Sequence, residues 1–105
     1  MSELSLSYYV SISQGNAELL KTFKTLLLDD FKSMDVRFFS AAEENDVSAM
    51  RNELHKMYPI VANLGFFQML DLIEKYRHYD SGEFAKLHTE LKMCLTKIYD
   101  FLKSD

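Results

Sequence analysis

The sequence predicts an all-α fold: an antiparallel up-down four-helix bundle with a short additional N-terminal helix. Apolar side chains recur every three or four residues along nearly the whole chain, which is the period of an amphipathic helix. With 3 Gly and 1 Pro, the chain has few turn-forming residues for a β-sandwich or barrel. Four substantial helices with short connections and one apolar face each pack most economically around a shared core. The 105 residues fit a single domain, residues 1–105, and leave no room for two.

The first predicted helix is short and the second is long. Leu4, Tyr8 and Ile12 lie four residues apart, and Gly15 suits the C-terminal cap that would follow them. Asn16 is a good N-cap for a second helix of roughly 28 residues, or about 42 Å. Its predicted buried positions are Leu20, Phe23, Leu27, Phe31, Met34, Phe38 and Ala41.

The third predicted helix runs from Val47 to about Asn63. Asp46 is its expected N-cap, and Gly65 is free to take a left-handed conformation beyond its end. Its apolar series is Val47, Met50, Leu54, Met57 and Val61.

Two further helices complete the predicted bundle. Between them, residues 77–82 are expected to form a turn, and Asp80 with Glu83 three residues later resembles a capping box. The buried positions of the fourth helix are predicted to be Phe66, Phe67, Leu70, Ile73 and Tyr76. Those of the last helix are Phe84, Leu87, Leu91, Cys94, Leu95, Ile98, Phe101 and Leu102.

Composition and charge exclude several classes of function. The formal net charge is −4 and no face carries a dense Lys/Arg run, which argues against nucleic-acid binding. No apolar run approaches the ~20 residues of a membrane span, and the N-terminus lacks the pattern of a signal peptide. The single cysteine, Cys94, cannot form an internal disulfide. We therefore expect a cytoplasmic protein that binds neither nucleic acid nor membrane.

Few residues offer chemistry. The sequence contains no paired catalytic carboxylates, Gly-rich phosphate loop or metal-ligand spacing, so we expect no metal site and no cofactor. His78 is expected to be a solvated turn residue, His88 to pack at the edge of the core, and Cys94 to be an inert buried thiol. His55 lies about 100° from Leu54, the centre of its helix's apolar face, and so at the edge of that face.

Small neighbours make His55 the candidate reactive group. Pro59 and Ala62 follow it on the same flank and would let another protein approach the ring. A neutral imidazole is a good nucleophile and can hold a phosphoryl group on nitrogen. Taken alone, an edge histidine is more often a bland solvated residue.

The segment from residue 45 to residue 65 resembles the signature of histidine-containing phosphotransfer (HPt) domains. That family's pattern reads roughly D-x-x-x-[apolar]-x-x-x-x-H-x-[apolar]-K-G-x-x-x-x-L-G. The matching positions here are Asp46, His55, Met57, Leu64 and Gly65. Residues 4–20 also look like the family's opening, so the resemblance covers most of the chain and implies a four-helix bundle.

The resemblance implies a phosphocarrier module of a two-component phosphorelay rather than a true enzyme. His55 would carry a phosphoryl group between the aspartates of response-regulator receiver domains, and a hybrid sensor kinase is a further expected partner. The receiver would contribute its own Mg²⁺. The residues expected to meet the partner are Arg51, Tyr58, Pro59, Ala62 and Phe66.

Two positions depart from the family's pattern. Tyr58 stands where the family has a lysine, and Pro59 stands where it has a glycine. Lys56 points about 100° away from His55, so Arg51 is the better placed cation. Pro59 also removes the amide that would bond the carbonyl of His55, which predicts a kink. These departures favour an alternative: a catalytically inactive adaptor that binds a receiver or another partner without phosphotransfer.

Overall fold

The computed structural model describes residues 4–78 and 81–104, and within them all regular secondary structure is helical. The prediction of an all-α fold is confirmed. The described part contains five α-helices and a short 3₁₀ turn, Ser81–Glu83, that precedes the last of them. The helices are α1 (Ser7–Ser13), α2 (Ala17–Glu43), α3 (Val47–Asn63), α4 (Phe67–His78) and α5 (Phe84–Lys103).

Side-chain caps fix where α2 and α3 begin. The Asn16 carboxamide oxygen accepts a hydrogen bond from the Leu19 amide at 3.0 Å. The Asp46 carboxylate accepts one from the Ala49 amide, also at 3.0 Å. Each bond satisfies an amide of the first helical turn that has no partner within the helix. Both predicted N-caps are therefore confirmed.

The turn between α3 and α4 is a Schellman motif, which needs a left-handed residue after the helix. Gly65 supplies it with φ +70°. The Gly65 amide donates to the Ala62 carbonyl at 3.0 Å, and the Phe66 amide donates to the Val61 carbonyl at 3.2 Å. Asp80 of the predicted capping box in the next connection lies outside the described residues.

One hydrophobic core joins the helices. In the described structure, α2 packs on α3, α3 on α4, α4 on α5 and α5 on α2, while α1 packs against α2. Within α2 the predicted inward positions are buried from Leu27 onward, whereas Leu20 and Phe23 are half-buried. No helix in the part of the chain described is long and apolar enough to cross a membrane.

The prediction for α4 was partly wrong. Its buried residues include Met69 and Leu72, whereas Leu70 is half-buried and Phe67 is 63% exposed. The helix also continues to His78, two residues beyond the predicted end. The reason is the Schellman turn. In this motif the residue at the position of Phe66 normally packs back against the preceding helix. The inward face of α4 therefore differs from the face that the sequence predicted.

Candidate functional site

His55 lies in the middle of α3 with its side chain exposed. Five further exposed residues of α3, Arg51 among them, fall within about 60° of it around the helix axis. Together with His55, Ser48, Asn52, Pro59 and Ala62 form what we call the His55 strip. At 1.5 Å per residue the strip extends about 21 Å along the helix.

A groove of about 570 Å³ borders the imidazole on the side of α4. Helix α3 contributes Ser48, Arg51, Asn52, Leu54 and His55 to its lining, and α4 contributes Ile73, Tyr76 and Arg77. No residue of the described structure forms a hydrogen bond or ion pair with the His55 ring. The ring nitrogens are thus accessible to a reactant that enters the groove.

Arg51 connects the two walls of the groove. Its Nε donates a hydrogen bond to the backbone carbonyl of Tyr76 at 3.1 Å. That carbonyl belongs to the last turn of α4, where helical carbonyls lack amide partners and carry partial negative charge. Arg51 therefore lies beside His55 as the sequence predicted, but its guanidinium is also tied to the backbone of α4.

Arg77 is the second arginine that lines the groove. Its guanidinium carbon lies 5.7 Å from the centre of the Tyr58 ring, within range of a cation–π contact. Its Nη1 lies 3.1 Å from Glu74 Oε1, and 47% of its side chain is exposed. Tyr58 itself is half-buried. An α4 arginine thus covers the side chain that stands in place of the lysine in the HPt pattern.

The opposite flank of α3 carries a different network. The Glu53 carboxylate is buried and accepts hydrogen bonds from Arg37 Nε at 2.9 Å and Lys56 Nζ at 3.2 Å. Burial alone would raise the pKa of Glu53, but the hydrogen bonds and positive charges of Arg37 and Lys56 together outweigh it and lower that pKa. Lys56 is therefore engaged on the side facing α2, as expected from its direction relative to His55.

Pro59 does not end α3. The helix continues from Val47 to Asn63 with Pro59 inside it and exposed. Because proline has no amide hydrogen, the carbonyl of His55 loses its usual helical partner. The side chains of Pro59 and Ala62 are small and exposed, so the part of the strip beyond the imidazole projects little from the helix.

Comparisons with models of known families, with curated proteins and with solved structures found no match. Among the residues the structure describes, no three His, Cys, Asp or Glu side chains are grouped so as to hold a metal ion.

The predicted site residues divide into those that reach this surface and one that does not. His55, Arg51, Pro59 and Ala62 are exposed and Tyr58 is half-buried beside them. Phe66 is only 3% exposed, so the prediction that it meets a partner was wrong. As the residue after the left-handed glycine of a Schellman turn, it packs inward.

Sequence reasoning missed the contribution of α4. Ile73, Tyr76 and Arg77 are spaced three and one apart, which puts all three on one helical face. The signal was obscured because the helix was predicted to end at Tyr76, which left Arg77 in a turn. The lining of the groove by α4 follows only once the helix is known to reach His78.

The other candidate groups have structural surroundings. His78 is exposed at the end of α4, with Nε2 3.9 Å from Glu74 Oε2. His88 is half-buried, and its Nδ1 lies 2.7 Å from the Tyr76 hydroxyl. Cys94 is buried, and that burial raises its thiol pKa, so the reactive thiolate is disfavoured. The exposure of His78 and the surroundings of His88 and Cys94 agree with the predictions, but His78 belongs to the last turn of α4 and not to the connection that follows it.

Proposed function

We propose that this protein is a histidine phosphocarrier of a two-component phosphorelay, with His55 as the residue that holds the phosphoryl group. One observation carries the proposal: an exposed imidazole without a hydrogen-bond partner in the described structure borders a groove that also contains two arginines. A nucleophile for phosphoryl transfer needs an accessible nitrogen and nearby positive charge for the phosphoryl oxygens. The resemblance of residues 45–65 to the HPt pattern supports the same assignment.

The proposal includes a finer architecture and a location. The order of neighbours from α2 to α5 supports an antiparallel up-down four-helix bundle, with α1 as an additional element. In such a bundle the helices provide a rigid position for His55 and little chemistry of their own. The carrier would act in the cytoplasm, as a module rather than a true enzyme.

The transfer step is a displacement at phosphorus. A ring nitrogen of His55 attacks the phosphorus of an aspartyl phosphate, a P–N bond forms and the P–O bond to the aspartate breaks. The electron pair of that bond leaves with the aspartate carboxylate, and the ring gives up its N–H proton to solvent. The receiver brings its own metal and catalytic charge, so this chain has to supply position and access.

Docking would use the His55 strip. A receiver must approach to bonding distance, and the small side chains of Pro59 and Ala62 leave space for its surface. A strip about 21 Å long on one helix gives a small contact area, which is typical of transient signalling encounters. We therefore expect weak and short-lived complexes.

The experiment is incubation with a set of receiver domains that have been phosphorylated on aspartate. The wild type should acquire phosphate that is labile in acid and stable in base, as expected for phosphohistidine. His55→Gln should acquire none. His78→Gln is the matched control, because it removes another exposed histidine and should be labelled like the wild type. Equal labelling of His55→Gln would contradict the assignment.

The inactive adaptor remains the second candidate, favoured by the contact between Tyr58 and Arg77 where the HPt pattern has a lysine. An adaptor would bind a receiver through the same strip without becoming labelled. Binding measured by calorimetry, with equal affinity for the wild type and His55→Gln and no phosphate on either, would support this candidate against the carrier.

A further inference from the structure

The described lining of the groove beside His55 has cationic side chains and no anionic ones, on a protein of negative net charge. Arg51 and Arg77 both line it, whereas the chain carries a formal net charge of −4. No acidic side chain is among the described residues that line the groove. Two guanidinium groups next to a histidine favour an anion with several oxygens, because each guanidinium offers a planar fork of N–H donors.

The two arginines differ in how they are held. Arg51 is bonded to the carbonyl of Tyr76, which fixes it at the wall of the groove. Arg77 lies over the Tyr58 ring and shares its Nη1 with Glu74. The ring restricts the guanidinium to one side, while about half of the side chain stays exposed, at 47%. Arg77 is thus the arginine whose donors can turn toward a group bound in the groove.

We infer that Arg77 binds the oxygens of the phosphoryl group on His55, with Tyr58 as the surface that positions its guanidinium. The inference rests on the proposed function and deepens it. Arg77 would supply from α4 the positive charge that a lysine would otherwise supply from α3. Glu74 holds the guanidinium while the groove is empty and gives up part of that contact when a more highly charged anion enters.

The test uses phosphoramidate, a small donor that needs no receiver surface. A ring nitrogen of His55 attacks its phosphorus, the P–N bond to the donor breaks, and ammonia leaves after taking up a proton. Phosphorus NMR follows the signal of phosphohistidine with time in the wild type, Arg77→Ala and Arg77→Lys. Lys75→Ala is the matched control, since it removes one positive charge from the same helix but does not line the groove.

We expect Arg77→Ala to label about three- to ten-fold more slowly than the wild type, the range of a charge-assisted contact at a half-exposed site. Arg77→Lys should recover part of the rate, and Lys75→Ala should match the wild type. Added sodium chloride should slow the wild type more than Arg77→Ala, because salt screens the attraction that the variant lacks. If Arg77→Ala were slow because the protein had lost its structure, a lysine at this position would not be expected to recover the rate.

The outcomes distinguish the role of Arg77 from that of His55. Equal rates for the wild type, Arg77→Ala and Lys75→Ala would overturn the role of Arg77 and leave His55 as the carrier. An unlabelled wild type would overturn both. Circular dichroism shows whether each variant is folded, and Arg77→Gln repeats the charge removal with a longer side chain should the alanine variant unfold.

Discussion

At the scale of single residues, His88 is a half-buried histidine surrounded by aromatic rings. It packs among Phe38, Phe39 and Phe84, with ring centres 5.5, 5.7 and 6.0 Å away, and is hydrogen-bonded to Tyr76. Burial lowers the pKa of His88, and the neighbouring charge of Lys92 lowers it further. The neutral form of His88 is therefore favoured more strongly in the folded protein than in the unfolded chain.

This difference predicts a loss of stability on mild acidification. Because the folded-state pKa of His88 is lowered, its contribution is complete above the unfolded value of about 6.5 and is lost as pH falls through the folded pKa. Urea unfolding between pH 7.5 and pH 5.5 should show the free energy of unfolding falling. His88→Gln should flatten this dependence and the exposed control His78→Gln should not. An unchanged slope in His88→Gln would place the effect elsewhere.

At the scale of helices and turns, the α1–α2 connection depends on two successive left-handed residues. Gln14 has φ 52° and Gly15 has φ +78°. Glycine adopts this conformation without the steric cost that a Cβ atom brings. A Cβ at Gly15 would meet no atom within 4 Å, so any cost of adding one is conformational rather than steric crowding by neighbours.

The pair gives opposite predictions for substitutions at adjacent positions. Gly15→Ala should lower the free energy of unfolding by about 1 kcal/mol, whereas Gln14→Gly should raise it by about 0.5 kcal/mol. Both are measured by urea unfolding at constant pH. If the two variants shifted stability in the same direction, the conformational account of this turn would be wrong.

Between α2 and α3, the Glu53 carboxylate joins the helices through Arg37 and Lys56. Its pKa is lowered in the folded protein, so its contribution is complete above the unfolded value of about 4.3 and is lost as pH falls through the folded pKa. Glu53→Gln should cost about 1–2 kcal/mol at pH 7, because the partners are half-exposed and part of the attraction is screened.

Acid titration separates the Glu53 effect from that of His88. The difference in stability between the wild type and Glu53→Gln should shrink as the pH falls below about 4.3 and through the lowered folded-state pKa, and it should be lost once the carboxylate is protonated in both folded and unfolded chains. Glu74→Gln, which removes a more exposed carboxylate, should show a much smaller difference. A Glu53→Gln deficit that persists unchanged in acid would indicate lost packing rather than lost charge.

Features of the helices were predictable from the sequence where they depend on residues a few positions apart. Asn16 and Asp46 cap the helices they were expected to cap, because a side-chain acceptor three residues before an amide is visible in the sequence. His55 was found in the same way, from its angle to an apolar face. The inward face of α4 was missed because it depends on how Phe66 packs back across a turn. Arg77 was missed with it.

At the scale of the whole molecule, the proposed function depends on which helix face the packing leaves uncovered. The described helices enclose one core, and the His55 strip lies on the outside of α3 between the Glu53 network and the groove of α4. Packing thus presents the imidazole with a cationic groove on one side. For the proposed carrier, it also separates two requirements, the chemistry at the ring and the docking of a partner along the strip.

These two requirements can be separated by one substitution at the strip. Ala62→Glu places a longer, negatively charged side chain two turns from His55, where a receiver would have to fit. Transfer from a phosphorylated receiver should fall about ten-fold or more, equivalent to roughly 1.4 kcal/mol or more of lost transition-state binding. Labelling by phosphoramidate should persist, because that small donor needs only the groove.

The matched control for this docking prediction is Ala85→Glu, the same change at an exposed alanine on α5. It should leave both reactions unchanged. If Ala62→Glu slowed the two donors equally, the substitution would be acting on the imidazole or on the fold, and the strip would not be a docking surface. A defect confined to the receiver reaction would instead locate the partner on the face of α3 that carries the small side chains of Pro59 and Ala62, where the packed helices leave His55 exposed.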